Sequence, residues 1–156
     1  MKIKSNFICF LLVLIFITSC GYKKTNLTLE KTFSINNLNI IGVKNIDYII
    51  RNKLNLYANE NSANLLDIKI TISKEKGVKE KKSNNQINKY FLRLNFIGSV
   101  IERKTNKKFI FNKTNTTDFK KEETVINTRK NEDYKLKTTA EELTEEFIEF
   151  LTLNLN

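Results

Sequence analysis

An alternation of apolar and polar side chains in two segments between residues 65 and 103 constrains the fold most. In the segment LLDIKITISKEK, apolar side chains recur at every second position: Leu66, Ile68, Ile70 and Ile72. In INKYFLRLNFIGSVIER, the same period places four apolar side chains on one face: Leu92, Leu94, Phe96 and Val100. Side chains alternate between faces in a β-strand, so both segments are predicted to be half-buried strands. The second segment also carries Phe91, Ile97 and Ile101 on its other face, which predicts partial cover on both sides or a central position.

Two shorter segments complete the predicted sheet. FSINNLNIIGV (residues 33–43) is rich in β-branched and apolar residues and ends at a glycine, which is typical of a strand. RKTNKK (residues 103–108) has the polar composition of a hairpin turn, and FIFNKT (residues 109–114) is the expected returning strand. Residues 115–131 carry no pattern that assigns them to an element.

Two other segments repeat at the helical period. Asn45 is predicted to cap a first helix that has Asp47 in its first turn and ends near Asn59. Its apolar stripe comprises Ile46, Ile49, Ile50, Leu54 and Tyr57. Such a stripe buries one side of a helix of about three turns.

The last segment, TTAEELTEEFIEFLTLNL, predicts a second amphipathic helix. Its apolar face comprises Ala140, Leu143, Phe147, Phe150 and Leu151. Thr138 with Glu141, or Thr139 with Glu142, matches the capping box that starts many helices. The order strand, helix, strand, strand, strand, helix predicts an α+β fold. We expect a two-layer sandwich with both helices on one face of a mostly antiparallel four-stranded sheet (β-α-β-β-β-α).

The N-terminal segment is predicted to be an export signal. Phe7 to Ile17 is an unbroken apolar run, preceded by Lys2 and Lys4, and is well short of the roughly 20 residues that span a bilayer. The residues that follow, Thr18-Ser19-Cys20, resemble a bacterial lipobox, which implies cleavage before Cys20 and its modification with lipid. The alternative is an ordinary signal peptide with a cysteine beside its exit. The predicted organisation is a signal peptide over 1–19, a lipidated N-terminus and tether over 20–32, and one domain over 33–156.

The cysteine count agrees with lipidation. The chain has two cysteines, and Cys9 lies in the predicted signal, so the exported domain has neither a free thiol nor a disulfide if Cys20 carries lipid. Two or three acyl chains provide a stable anchor where one does not.

The net charge of +10, or about +8 without Lys2 and Lys4, favours anionic partners. For an exported chain these are phospholipid headgroups, lipopolysaccharide phosphates or acidic protein surfaces. Nucleic acid fits the charge but not the export signal. The richness in Asn, Lys and Ile and the lack of Pro, Trp and His are also typical of proteins from AT-rich genomes, so the lysine excess has a compositional alternative.

Catalysis is not expected. The sequence has no His and no glycine-rich phosphate loop, and its aspartates are scattered, so it offers no acid–base or nucleophilic constellation and no cofactor or metal site. The C-terminal glutamates are predicted to be a solvated helix face, with no assigned chemistry: Glu141, Glu142, Glu145, Glu146 and Glu149.

Taken together, these features resemble one family. Cys20-Gly21-Tyr22, the element order, the middle hairpin and the acidic C-terminal helix are similar to those of LptE, the lipopolysaccharide-assembly lipoproteins of Gram-negative outer membranes. Lys23-Lys24 departs from the Pro or Leu that often follows in that family. The resemblance implies a protein anchored on the periplasmic side of the outer membrane. It would plug and help assemble an LptD-like β-barrel and engage lipopolysaccharide before delivery to the outer leaflet.

Two lysine-rich segments are candidates for binding lipopolysaccharide phosphates. One lies at the predicted hairpin end and comprises Lys74, Lys76, Lys79, Lys81 and Lys82; the other lies at the opposite turn and comprises Arg103, Lys104, Lys107 and Lys108. Charge-assisted hydrogen bonds favour such pairing, although lysine lacks the bidentate geometry of arginine. The alternative is two solvated turns. Two other functions stay open: a lipoprotein subunit of an ABC-type lipid-transport system, and a structural envelope lipoprotein without lipid cargo.

Overall fold

The computed structural model describes residues 32–155, which form four strands and two helices. In chain order they are β1 (Ser34–Ile41), α1 (Lys44–Tyr57), β2 (Leu65–Lys81), β3 (Ile87–Glu102), β4 (Lys108–Lys120) and α2 (Val125–Leu155). The predicted α+β fold and element order are confirmed. The predicted signal peptide, the lipidated Cys20 and nearly all of the tether lie outside the described residues.

The sheet has the order β1-β2-β3-β4 and is mixed, which corrects the expectation of a mostly antiparallel sheet. β1 and β2 are parallel, from Ser34 opposite Leu65 to Ile41 opposite Thr71, whereas β2–β3 and β3–β4 are antiparallel. The reason is α1, which connects β1 to β2 as a helical crossover and so lets both strands run in one direction.

Gly42 makes the turn from β1 into α1. Its φ of +125° lies in a region that side chains disfavour, and a Cβ there would lie 1.9 Å from the Ile72 carbonyl oxygen. The turn therefore requires glycine both for its backbone conformation and for its contact with β2.

The core lies between the helices and one face of the sheet. The apolar members of both alternating segments are buried there, as predicted: Leu66, Ile68, Ile70, Ile72, Leu92, Leu94, Phe96 and Val100. Ile46, Ile50 and Leu54 of α1 and Leu143, Phe147 and Leu151 of α2 cover them. On the opposite face, Phe91 and Ile101 are half-buried and Ile97 is 37% exposed, so no second layer covers β3 within residues 32–155.

The predicted starts of both helices are wrong. Val43, not Asn45, occupies the N-cap position of α1, and no side chain caps it. α2 begins at Val125, where the Thr124 hydroxyl accepts a hydrogen bond from the Asn127 backbone N–H at 3.2 Å. Thr138 lies inside α2 and donates its hydroxyl proton to the Tyr134 carbonyl at 3.0 Å. The unassigned residues 115–131 are the end of β4, a corner and the start of α2.

The fold is elongated along its strands. The 16 residues of β3 span about 53 Å, and the 31 residues of α2 span about 46 Å. We call the end where the described chain begins the near end; it includes the β3–β4 turn (residues 103–107) and the C-terminus of α2. The opposite end, called the far end, includes the β2–β3 turn (residues 82–86) and the β4–α2 corner (residues 121–124).

β1 and α1 extend only over the near half of the molecule. β1 pairs with β2 as far as Thr71, so the outer backbone edge of β2 from Ile72 to Lys81 has no strand neighbour in the described part of the chain. There, α2 alone covers the sheet. The far half is therefore a three-stranded arm with a single helix.

Candidate functional site

The two predicted lysine segments lie at opposite ends of the molecule. Lys79, Lys81 and Lys82 are at the far end, while the second group is at the near end and comprises Arg103, Lys104, Lys107 and Lys108. The length of β3, about 53 Å, separates them. They therefore cannot contribute to one ligand site, and each end is considered separately.

The excess positive charge of residues 32–155 lies in the far half. Residues 72–93 and 114–137, which form this half, contain thirteen Lys and Arg against seven Asp and Glu. The rest of the described chain contains nine of each. The far half of the domain therefore has a net positive charge and the near half, where the described chain begins, has none.

Two of the predicted lysines hold the far half together. The Nζ atoms of Lys74 and Lys76 lie 3.1 and 2.6 Å from the two carboxylate oxygens of Glu132 on α2. Lys76 Nζ also lies 4.6 Å from the centre of the Tyr90 ring. Burial would raise the pKa of Glu132, but hydrogen bonds from Lys76 and Lys74 outweigh it and hold that pKa below its ordinary value. These lysines join helix to sheet and are not available for a ligand.

The remaining far-end lysines of the first group differ from one another. Lys79 forms an ion pair with Asp118. Lys81 and Lys82 are exposed and have no carboxylate partner among residues 32–155. They flank a turn in which Asn85 adopts φ 63° and the Lys82 N–H donates to the Gln86 carbonyl at 2.8 Å. The turn is ordered, and its two free ammonium groups face solvent.

Sequence reasoning missed four further cations at the same end. Lys120 and Lys121 end β4 and begin the corner, and Arg129 and Lys130 lie in the first turns of α2. All four are exposed, and within the described ranges none has a carboxylate partner. Their signal in the sequence is the pairs KK and RK, but residues 115–131 matched no element and so could not be placed.

These six side chains form what we call the far-end basic surface: Lys81, Lys82, Lys120, Lys121, Arg129 and Lys130. The β2–β3 and β3–β4 pairings place the ends of β2 and β4 two strands apart, about 10 Å. The Lys121 N–H donates to the Asn88 carbonyl at 3.0 Å, which fixes the corner against β3. Nearby, the Glu122 carboxylate accepts a hydrogen bond from the Asn131 amide at 2.8 Å, and Glu123 is exposed.

Apolar groups lie among these cations. Val125 and Ile126, in the first turn of α2, are 71% and 68% exposed. A recess of about 310 Å³ at the same end is lined by seven residues: Asp118, Phe119, Lys120, Glu122, Asn131, Tyr134 and Lys135. The far end thus combines free cations with exposed hydrocarbon, which suits a ligand that has both anionic and apolar parts.

The near-end turn has its own ordered structure. Arg103 Nε lies 2.8 Å from an Asp67 carboxylate oxygen. Hydrogen bonds from the Asn36 amide and from Arg103 hold the pKa of Asp67 below its ordinary value. Lys107 Nζ lies 4.9 Å from the centre of the Phe109 ring. Lys104, Lys107 and Lys108 are exposed and have no carboxylate partner in the part of the chain that the structure describes.

Three of the C-terminal glutamates of α2 contact neighbouring elements, while Glu141 and Glu149 are exposed. Glu145 forms an ion pair with Lys53 of α1, and Glu146 forms one with Lys113 of β4 at 3.0 Å. Glu142 accepts a hydrogen bond from the Asn115 amide at 3.1 Å. Within residues 32–155, no group of three or more His, Cys, Asp and Glu side chains is placed to hold a metal ion. The two described helices also include none with the length and apolar character needed to cross a membrane.

Comparison with known proteins identifies the fold. No family model and no curated protein matches the sequence. Among solved structures, rare lipoprotein B from Shewanella oneidensis is similar with a TM-score of 0.63 and 12% identity, over 78% of this chain and 95% of that one.

Two further structures agree. A protein from Caulobacter crescentus described as a lipoprotein gives a TM-score of 0.54 at 12% identity, over 78% of this chain and 89% of that one. Lipoprotein B from Nitrosomonas europaea gives 0.50 at 14% identity, over 82% and 88%. At these identities the likeness is one of fold: this chain adopts the fold seen in these three proteins.

Proposed function

We propose that this chain is an envelope lipoprotein anchored through Cys20 on the periplasmic side of the outer membrane. In this proposal it is a binding protein and not an enzyme. It plugs and helps assemble an LptD-like β-barrel and engages lipopolysaccharide for delivery to the outer leaflet. The proposal is supported by the lipobox-like Thr18-Ser19-Cys20 and by a fold shared with proteins described as lipoproteins.

The observation that carries the lipopolysaccharide part is the far-end basic surface. Lipopolysaccharide presents phosphates beside acyl chains. The far end presents exposed Val125 and Ile126 and six cations that have no carboxylate partner among residues 32–155. Ammonium and guanidinium groups donate charge-assisted hydrogen bonds to phosphate oxygens, and apolar side chains contact hydrocarbon. Arg129 alone can donate a bidentate pair within this surface.

The uncovered face of the sheet suits the interior of a barrel. Most of its side chains are polar, including Thr71, Ser73 and Ser99, with Ile97 and Ile110 among them. Thr114 donates a hydrogen bond to the Asn95 side chain at 3.1 Å. Arg93 on the same face lies 2.8 Å from Glu75. Outer-membrane barrels have polar interiors, so a plug requires a polar surface of this kind.

The experiment that tests the proposal is purification of the full-length lipoprotein from its own envelope in mild detergent, followed by mass spectrometry. We expect acyl chains on Cys20 and recovery of a large outer-membrane barrel at close to equal amounts. Recovery of ABC-transporter subunits would favour the lipid-transport alternative. A well-folded protein that retains no partner would contradict both and favour a structural lipoprotein.

A further inference from the structure

The near-end turn lies beside the point where the described chain begins. The Ser34 N–H donates to the Asn64 carbonyl at 2.9 Å, and the Arg103 N–H donates to the carbonyl of the next residue, Leu65, at 2.9 Å. The start of β1 and the β3–β4 turn therefore bind two consecutive carbonyl groups at the start of β2, so both lie beside it. Whatever precedes Thr32 leaves the domain next to this turn.

The turn presents three free cations on an ordered backbone. Lys104, Lys107 and Lys108 are exposed and have no carboxylate partner in residues 32–155. The Glu102 N–H donates to the Lys107 carbonyl at 3.0 Å and Asn106 adopts φ 56°, so the loop is closed at its base.

The acidic neighbours of the turn are already occupied. Glu102 is 8% exposed and accepts a hydrogen bond from the Thr105 hydroxyl, while Asp67 is held by Arg103 and Asn36. The turn nevertheless keeps a net positive charge, because Arg103 and the three lysines outnumber Asp67 and Glu102, although the near half as a whole is neutral.

The sequence limits how far this turn can lie from a membrane anchor. Thr32 lies twelve positions after Cys20, and a chain of that length can span at most about 42 Å when fully extended. A lipid on Cys20 therefore keeps the near end within that distance of the headgroup layer, where lysines concentrate at anionic phosphates.

We propose that Lys104, Lys107 and Lys108 bind the phosphates of anionic phospholipid headgroups in the leaflet that holds the Cys20 lipid. This contact orients the domain with its near end on the membrane and its far end about 50 Å away, the length of β3. The inference rests on the lipid anchor of the proposed function and does not depend on the barrel or on lipopolysaccharide.

The test places a fluorescent donor at each end of the full-length lipoprotein in vesicles. Lipidation consumes the Cys20 thiol, so Ala63→Cys at the near end and Ser83→Cys at the far end each provide one labelling site; both residues are exposed. Energy transfer to a rhodamine-labelled lipid headgroup is measured in phosphatidylcholine vesicles with and without phosphatidylglycerol. We expect more efficient transfer from residue 63 than from residue 83, with the larger difference in anionic vesicles.

Matched variants identify the cause. In a Lys104→Gln, Lys107→Gln, Lys108→Gln variant, we expect the difference in transfer between residues 63 and 83 to lose the increase that anionic vesicles cause. Lys82→Gln, Lys121→Gln, Lys130→Gln, with the same change in charge at the far end, is expected to keep it. Raising the ionic strength from 0.1 to 1 M shortens the Debye length from about 10 to about 3 Å. In the protein that keeps all its lysines, this change should make the difference in transfer between residues 63 and 83 equal in anionic and neutral vesicles.

Three results would overturn the inference. Equal differences in neutral and anionic vesicles would exclude headgroup charge as the orienting contact. More efficient transfer from residue 83 would show that the far end faces the membrane. An unmodified Cys20, detected by mass spectrometry, would remove the anchor and the inference with it. Failure to recover a barrel or to bind lipopolysaccharide leaves the energy-transfer result unchanged, so the two proposals fail separately.

Discussion

The Nζ atom of Lys76 lies 2.6 Å from a carboxylate oxygen of Glu132, which joins the edge strand of the far half to the helix above it. Lys74 binds the other oxygen of the same carboxylate at 3.1 Å. The Glu132 side chain is only 13% exposed, while each lysine retains about a third of its surface. One partly buried carboxylate thus attaches the N-terminal half of α2 to β2.

Removing the charge of Glu132 should destabilise the domain. We expect Glu132→Gln to lower the free energy of unfolding by about 1–3 kcal/mol, because both lysines lose a charged acceptor at a partly buried site. Urea unfolding measures the change. Glu123→Gln is the matched control, since Glu123 is exposed and has no ion-pair partner within residues 32–155. Equal midpoints for the two variants would contradict the prediction.

The same carboxylate should make stability depend on pH. The pKa of Glu132 in the folded state lies below its ordinary value of 4.5, so its contribution is fully present above that value and is lost as pH falls through the folded pKa. We expect the urea midpoint to decline less between pH 7 and pH 3 in Glu132→Gln than in the unmodified chain. Parallel declines would show that Glu132 does not contribute.

Gly42 should tolerate no side chain. Gly42→Ala forces an L-residue to φ +125° and places Cβ 1.9 Å from a backbone oxygen of β2, so we expect a loss on the order of 3 kcal/mol. Gly77→Ala is the control: the nearest contact of its Cβ would be the Phe91 ring at 2.3 Å, and that ring is half-buried on the open face and can turn aside. Thermal or urea unfolding that ranks Gly77→Ala as the more damaging change would refute this reading of the turn.

Lipopolysaccharide binding should depend on the far end alone. We expect Lys120→Gln, Lys121→Gln, Lys130→Gln to weaken binding of fluorescent lipopolysaccharide by about tenfold, from three surface contacts at roughly 0.5 kcal/mol each. The unmodified chain should also lose affinity as salt rises, because screening weakens phosphate contacts. Lys104→Gln, Lys107→Gln, Lys108→Gln removes the same charge at the near end and should leave binding unchanged. An equal loss in both variants would indicate a general charge effect.

The residues that share an apolar face could be predicted because they follow from local periodicity. Ile68 and Leu94 lie where a period of two places them, and Leu143 and Phe147 lie where a period near four does. The parallel pairing of β1 with β2 could not be predicted this way, because strand direction depends on how α1 packs and not on the pattern of either strand.

The N-terminal half of α2 was missed for a related reason. Residues 125–135 have no apolar stripe, and Glu132 is held by lysines that lie 56 and 58 positions away. A helix stabilised by contacts of that kind leaves little local signal. The candidate site was therefore predicted only in part: Lys81 and Lys82 were identified, whereas the cations at the corner lay in the unassigned segment.

The outer edge of β2 from Ile72 to Lys81, which has no strand neighbour in the described part of the chain, is a potential site of self-association that its lysines counteract. An unpaired strand edge offers its amide and carbonyl groups to any other extended chain, including a second copy of the same molecule. Lysines lie along this edge at positions 74, 76, 79 and 81, and charged side chains of this kind on an edge strand disfavour pairing with a second strand. The chain's high lysine content thus acts at this edge as protection against self-association. Replacing these lysines with neutral residues should promote aggregation, which would obscure any effect of the replacements on ligand binding.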